Sequence, residues 1–228
     1  MMKTIKILTI PCMALLIAEL SAQSLTTDLQ NFDGVKVYDL IQVTLIKSNE
    51  NKAVVSGDNV NEVKIVNNDG KLKIRMELDM YLDGDATQVK LYHTQPLSVL
   101  DANEGAQILS DKELNATYLI LNAQEGGLID IPVNSFNLDI KAVTGGKVRV
   151  QGKAPNLDVL VRSGAKFNGK KLQTKQAEIN LFAGGNASVN ADEYVKATVT
   201  AGGTIEVYGN PDSIQKKKTF GGSIIVRQ

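Results

Sequence analysis

The sequence predicts an all-β protein whose C-terminal half is a right-handed parallel β-helix, or β-solenoid, with coils of about 19 residues. The first observation is a series of Gly-Gly or Gly-Ala pairs at spacings of 21, 19, 19, 20, 18 and 19 residues. The second is that apolar and polar residues alternate on both sides of each pair, which is typical of strands with one buried face. The pairs begin at Gly105, Gly126, Gly145, Gly164, Gly184, Gly202 and Gly221.

The residues seven, five and three positions before the first glycine are apolar in the five repeats that end at Gly126, Gly145, Gly164, Gly184 and Gly202. They are Leu119, Leu121 and Ala123; Leu138, Ile140 and Ala142; Leu157, Val159 and Val161; Ala177, Ile179 and Leu181; and Val195, Ala197 and Val199. A second alternating strand follows each pair, as in Val148 and Val150. Such short strands bury their inner faces only when coils stack at the inter-strand spacing of about 4.8 Å. Right-handed coiling is the usual hand of parallel connections.

The glycine pairs are predicted to form sharp corners, since glycine permits a positive φ and a close approach of backbones. A phosphate-binding loop is the competing interpretation, but no GxxxxGK[ST] or GxGxxG motif opens a helix in this sequence. A third, less regular side of each coil carries turn residues. Examples are Asn134–Phe136, Ala154–Asn156, Ala191–Glu193 and Asn210–Asp212.

Residues 23–97 form a β-rich N-terminal portion that caps or begins the solenoid, and residues 98–228 form the repeats. The predicted strands are Val35–Lys47, Lys52–Ser56, Val63–Val66, Lys71–Leu78 and Gln88–Tyr92. The turn sequence Asn68-Asp69-Gly70 predicts a hairpin between two of these strands. A cap of this kind would cover a sheet edge that could otherwise recruit another chain.

Residues 1–22 have the form of a signal peptide. Lys3 and Lys6 precede an apolar run from Ile7 to Leu20, and Ala22 follows at a suitable cleavage position. The protein is therefore expected to be exported, with a periplasmic, outer-membrane-associated or secreted location. The single cysteine, Cys12, lies within this leader, so a buried core rather than disulfides must stabilise the mature chain.

The mature chain is nearly neutral and has no further apolar run of membrane-spanning length. Removal of residues 1–22 takes away two basic residues and one acidic residue, which leaves 23 basic and 24 acidic residues. This balance predicts no nucleic-acid partner. The basic triplet Lys216–Lys218 is typical of a solvated edge.

Repeat alignment predicts two outward columns of charged residues as a binding surface. Asp139, Asp158 and Glu178 should stack on successive coils, and Lys147 and Lys166 should form another column. Stacked carboxylates could bind Ca²⁺ or hold a raised pKa, as in a polysaccharide-active enzyme of the pectin-lyase type. A polar exterior that keeps the solenoid in solution is the simpler interpretation.

No catalytic, cofactor or metal site is predicted. The only histidine, His93, is expected to be an ordinary polar residue at a strand end, because a Ser-His-Asp set or a zinc site needs partners that the sequence does not supply. Coils of 18–21 residues also leave little chain for the long loops that wall an enzyme cleft.

The sequence resembles the head GIN domain family of autotransporter adhesins, exported proteins of Gram-negative bacteria. The resemblance lies in the opening Phe32–Val37, the stretches Val54–Asp58 and Gly70–Ile74, and the later glycine pairs, including Arg162–Ala165. It covers about residues 32–226. Most corners read Gly-Gly rather than the family's Ser-Gly-Ala-Ser.

The resemblance implies a β-solenoid and an adhesive role by fold-level analogy, and the short coils predict that this role is non-catalytic. The partners it suggests are a surface glycan or a host or matrix protein, and the protein could form oligomers. Two alternatives remain open at this point: a polysaccharide-active enzyme, and a structural envelope protein without a ligand.

Overall fold

The computed structural model describes residues 24–77, 82 and 84–227. The predicted signal peptide, residues 1–22, lies outside the described residues. Within the described part of the chain no helix is long and apolar enough to cross a membrane. The secondary structure of the described residues consists of strands and one short 3₁₀ turn.

Eighteen strands account for nearly all of the regular structure that is described. They are β1 (Ser24–Asp28), β2 (Gly34–Val37), β3 (Gln42–Lys47), β4 (Lys52–Gly57), β5 (Val63–Asn68), β6 (Lys71–Met76), β7 (Thr87–His93), β8 (Val99–Ala102), β9 (Gln107–Leu109), β10 (Leu114–Ala123), β11 (Leu128–Ala142), β12 (Lys147–Lys153), β13 (Asn156–Arg162), β14 (Lys166–Phe182), β15 (Asn186–Thr200), β16 (Thr204–Tyr208), β17 (Ser213–Thr219) and β18 (Ser223–Val226). The 3₁₀ turn is Val60–Glu62.

The strands form a parallel β-solenoid of about 7 turns with a spacing of ~19 residues, which confirms the predicted fold class. Strands that precede the glycine corners stack in the order β2, β8, β10, β11, β13, β14, β15 and β17. Strands that follow the corners stack in the order β3, β9, β11, β12, β14, β15, β16 and β18. These two stacks are called the first sheet and the second sheet below.

The core lies between the inner faces of the two sheets. All fifteen residues predicted to point inward before the corners are buried. The inward residues after the corners, among them Val148, Val150 and Phe167, are buried as well. Burial of these stacked apolar columns therefore stabilises the fold, since the mature chain has no cysteine for a disulfide.

Each corner contains two consecutive residues in the left-handed region, and at the last three corners the second glycine, Gly185, Gly203 or Gly222, also has a positive φ. At one corner these are Thr144, with φ 48°, and Gly145, with φ 74°. Gly146 has a different role, because a Cβ atom there would lie 2.0 Å from the carbonyl oxygen of Ala123 on the preceding coil. At this corner the first glycine satisfies a backbone angle, and the second permits close stacking.

The predicted strand Val35–Lys47 is wrong in one respect, because it is divided into β2 and β3. The chain turns between them at Asp39 and Leu40, whose φ angles are 58° and 64°. This corner contains no glycine, so the sequence pattern did not reveal it. The carboxylate of Asp39 accepts a hydrogen bond from the backbone N–H of Met76 at 2.9 Å, which holds the turn in place.

The N-terminal strands enter the same stack, but not in chain order. Strand β2 lies between β6 and β8, and β3 lies between β7 and β9. Antiparallel strands complete this end, with β5 beside β6 and both β4 and β1 beyond β7. The predicted hairpin at Asp69-Gly70 is confirmed as the turn between β5 and β6.

The opposite end of the solenoid is formed by β17 and β18, and β17 carries the basic triplet. Lys216 and Lys218 pair in register with Ala197 and Val199, which are buried inward residues of the preceding coil. Lysines therefore occupy the positions where earlier coils place core residues. Inward-register charges of this kind discourage another strand from adding to an edge.

Candidate binding surfaces of the solenoid

The acidic column is built by strands β11, β13 and β14 of the first sheet. Asp139 pairs in register with Asp158, and Asp158 pairs with Glu178, so the predicted stacking of these three side chains is confirmed. Regular coils of about 19 residues produce this alignment because each repeat returns the chain to the same place on the sheet. Whether the column binds a ligand stays a prediction.

The two ends of the acidic column accept side-chain hydrogen bonds, whereas its centre, Asp158, accepts none from the described residues. The Tyr118 hydroxyl donates a hydrogen bond to the Asp139 carboxylate. At the other end, Lys196 donates to Glu178 at 2.9 Å, and this hydrogen bond lowers the Glu178 pKa. Partial burial raises the Asp158 pKa, and the neighbouring charges of Asp139 and Glu178 raise it further. Asp158 therefore holds its proton to a higher pH than an ordinary aspartate does.

The basic column lies on the second sheet, beyond the glycine corner. Lys147 of β12 pairs in register with Lys166 of β14, and Lys166 pairs with Asn186. In the adjacent column Arg149 forms an ion pair with Asp130 at 3.1 Å. The structure therefore divides the five predicted surface residues between two faces, three acidic ones on the first sheet and two basic ones on the second.

A third surface, not predicted from the sequence, is an open cleft of about 710 Å³ on the third side of the coils. We call it the third-side cleft. Six residues that define it are Pro96, Asn115, Tyr118, Asn134, Phe136 and Pro155. Among the described residues that line the cleft, none is Asp, Glu, Lys, Arg or His. The cleft is thus an uncharged, partly aromatic surface beside the acidic column.

Two exposed aromatic rings from adjacent coils border this cleft. Phe136 is 58% exposed and Tyr118 is 45% exposed. Phe136 lies between Ser135 and Asn137 of β11, whose partners in the preceding coil are Ala116 and Tyr118. The sequence analysis assigned Phe136 to a turn. An aromatic residue among polar turn residues was the one feature of the sequence that could have indicated the cleft.

Asparagine side chains connect the coils on both sides of Phe136. The Asn134 amide donates to the Asn115 side-chain oxygen at 3.1 Å. The Asn156 amide donates to the Asn137 side-chain oxygen, also at 3.1 Å. These two amide ladders place hydrogen-bonding groups beside the exposed rings.

His93 ends strand β7, as predicted, and it is buried, with 3% of its surface exposed. Its Nδ1 donates to the Gln95 carbonyl oxygen at 2.8 Å, and its Nε2 has no hydrogen-bond partner among the described residues. Burial lowers the His93 pKa, and the Lys47 charge lowers it further, although the Gln95 hydrogen bond acts in the opposite direction. The imidazole is therefore held in its neutral form.

The fold and its surfaces define a class of protein: a rigid β-solenoid that presents extended charged columns and an aromatic cleft on its exterior. The sequence identifies the family more narrowly. The chain belongs to the family described as "Putative auto-transporter adhesin, head GIN domain", which matches residues 31–211. This match confirms the resemblance seen in the sequence.

Solved structures from Bacteroides and Parabacteroides species have a similar fold. The chain is similar to a putative adhesin from Bacteroides fragilis, with a TM-score of 0.82 and 15% identity over 91% of this chain and 98% of that one. It is also similar to a putative adhesin from Parabacteroides merdae, with a TM-score of 0.73 and 14% identity over 92% and 98% of the two chains.

A third similar structure is described as a putative lipid binding protein from Parabacteroides distasonis. Its TM-score is 0.70, with 16% identity over 92% of this chain and 98% of that one. At these identities the likeness establishes the fold. No curated protein matches the sequence.

Proposed function

We propose that the protein is a non-catalytic adhesin of the cell envelope that binds its ligand on the outer surface of the solenoid. Membership of the adhesin family supports this role. The observation that carries the proposal is the in-register stacking of Asp139, Asp158 and Glu178 on a rigid sheet. Such a column offers repeated polar contacts to an extended partner.

Each contact on a flat, solvated face is weak, since exposed charge pairs contribute little individually. Affinity would then depend on several contacts made together and on the display of many copies at the cell surface. A location in the periplasm, at the outer membrane or outside the cell fits this role. The ligand would be a surface glycan or a host or matrix protein.

A second candidate function is the cleavage of a polysaccharide. It is favoured by one observation, the raised pKa of Asp158 between the Asp139 and Glu178 carboxylates. A carboxyl group with a raised pKa can act as a general acid, and a neighbouring carboxylate can act as a base or nucleophile. Partly exposed carboxylates on a flat strand face lack the water-excluding surroundings that strengthen such chemistry.

One experiment separates the two functions. Purified residues 23–228 are applied to arrays of polysaccharides and matrix proteins, and both retention and the appearance of new reducing or unsaturated ends are measured. The adhesin proposal predicts retention without cleavage products. Products that disappear in Asp139→Asn or Asp158→Asn would establish the enzyme instead.

Retention is then compared between variants of the two charged columns. The double variant Asp139→Asn/Asp158→Asn tests the first sheet, and Lys147→Gln/Lys166→Gln tests the second sheet. Failure of the wild-type protein to bind any array component would refute the adhesive function.

A further inference from the structure

We propose that the third-side cleft binds a neutral glycan chain, with the Phe136 and Tyr118 rings as stacking surfaces and the Asn115 and Asn134 amides as hydrogen-bonding groups. This inference rests on the proposed adhesive function and assigns it a site and a ligand class. The site is distinct from the two charged columns that the sequence predicts.

The two aromatic rings give the cleft its apolar contact surface. The phenyl ring of Phe136 is 58% exposed, and transfer of this apolar surface from water to a ligand contact would be favourable. The C–H-bearing face of a pyranose ring is a flat apolar surface that can cover such a ring, while its hydroxyl groups remain at the edge. Tyr118 supplies a second ring from the neighbouring coil, so two successive sugar units can be contacted.

The Tyr118 ring is held in place by the acidic column. Its hydroxyl donates a hydrogen bond to the carboxylate of Asp139, whose backbone is paired in register between β11 and β13. A side chain restrained in this way loses less conformational freedom when a ligand covers it. Asp139 is therefore a positioning residue for the cleft.

The asparagine amides supply the polar half of the recognition. Asn134 uses one N–H to reach the Asn115 oxygen at 3.1 Å, and no hydrogen bond to the Asn134 side-chain oxygen occurs among the described residues. A primary amide has two donors and an acceptor with two lone pairs, so capacity remains for sugar hydroxyl groups. Uncharged amides beside aromatic rings suit a ligand that is itself uncharged but rich in hydroxyl groups.

The geometry of the coils favours a chain-like ligand that follows the solenoid axis. Adjacent coils repeat at about 4.8 Å, which is close to the length of one pyranose unit in an extended glycan. Tyr118 and Phe136 lie on adjacent coils, as do Asn115 and Asn134. Asn115 and Asn134 are register partners, whereas Phe136 is offset by one residue from Tyr118, whose partner is Asn137. Successive sugar units would therefore meet a matched pair of amides and two staggered rings.

The test measures binding of the purified mature chain to neutral hexasaccharides of glucose, mannose and xylose by calorimetry and by ligand-observed NMR. An acidic oligogalacturonate, a matrix-protein panel and neutral phosphatidylcholine vesicles serve as comparison ligands. Phe136→Ala removes the main stacking surface, and Phe220→Ala is the matched control, because Phe220 is 87% exposed on the last coil and outside the cleft. Circular dichroism confirms that each variant is folded.

We expect the wild type to bind at least one neutral hexasaccharide and Phe136→Ala to weaken that binding about tenfold or more, as for a central contact residue. Phe220→Ala should bind like the wild type. Tyr118→Phe, which keeps the ring but loses the Asp139 hydrogen bond, should show a smaller loss than Tyr118→Ala.

Neutral-glycan binding that is unchanged in both Phe136→Ala and Tyr118→Ala would overturn the cleft assignment. Binding confined to oligogalacturonate, a matrix protein or vesicles would also overturn it, yet would leave an adhesive or binding function intact. Failure to bind any of these ligands would refute the cleft and the proposed function together.

Discussion

Two adjacent glycines at one corner of the solenoid should respond very differently to the same substitution. Gly145 has φ 74°, and a Cβ atom there would meet nothing within 4 Å. A Cβ atom on Gly146 would lie 2.0 Å from the Ala123 oxygen and 2.4 Å from the Ala123 carbonyl carbon. Gly145→Ala therefore tests backbone angle alone, whereas Gly146→Ala tests the stacking distance between coils.

The magnitudes follow from these distances. A left-handed alanine costs about 1 kcal/mol, which is the expected effect of Gly145→Ala. At Gly146 the coils would have to separate by 1.4 Å to lengthen the 2.0 Å contact to an ordinary 3.4 Å. That movement would break the hydrogen bond of 3.0 Å from the Val143 N–H to the Ala123 oxygen. Overpacking and the lost hydrogen bond together should cost about 3 kcal/mol.

Thermal unfolding followed by far-ultraviolet circular dichroism measures the difference. At about 2–4 °C per kcal/mol for a domain of this size, Gly145→Ala should lower Tm by about 2–4 °C and Gly146→Ala by about 6–12 °C. Hydrogen exchange at the Val143 amide should accelerate only in Gly146→Ala. Equal Tm values for the two variants would refute the reasoning. They would show that this coil accommodates a Cβ atom at the second position of the pair, as the coil with the buried Ala165 does.

Three further predictions concern charges whose placement the structure fixes. Asp158→Asn should stabilise the protein at pH 7 by about 0.2–1 kcal/mol, because like charges on neighbouring strands repel each other. Because the Asp158 pKa is raised, the repulsion destabilises the folded protein above the folded pKa and disappears below the ordinary value of 3.8. Denaturant unfolding at about pH 3 should therefore show no stabilisation by Asp158→Asn. Stabilisation that persists at that pH would contradict the explanation. Because the His93 pKa is lowered, the free energy of unfolding of the wild type should fall as pH drops from about 7.5 through the ordinary value of 6.5. If His93→Leu loses stability as steeply over this pH range, the histidine is not the cause. The double variant Lys216→Val/Lys218→Val extends the apolar columns to an open sheet edge, so it should increase self-association measured by light scattering. An unchanged mass distribution would exclude an edge-protecting role for these lysines.

The sequence alone determined the elements that depend on a local period. Alternation at Leu138 and Ile140 fixed the buried face of a strand, and the interval of about 19 residues placed Asp139 above Asp158. The hairpin at Asp69-Gly70 was predictable because its turn chemistry lies within a few consecutive residues. Repeated local signals are sufficient when each coil contacts its immediate neighbours in the chain.

Only the tertiary structure decided the features that depend on distant pairing. The position of β2 between β6 and β8 joins segments that are far apart in the chain, and no local signal specifies that order. The corner at Asp39 has no glycine and is held by a hydrogen bond to Met76, so it appeared in the sequence as the middle of one strand. The third-side cleft arises because stacking brings Tyr118 and Phe136 together from successive coils, and side chains on an irregular side do not follow the alternation that revealed the core.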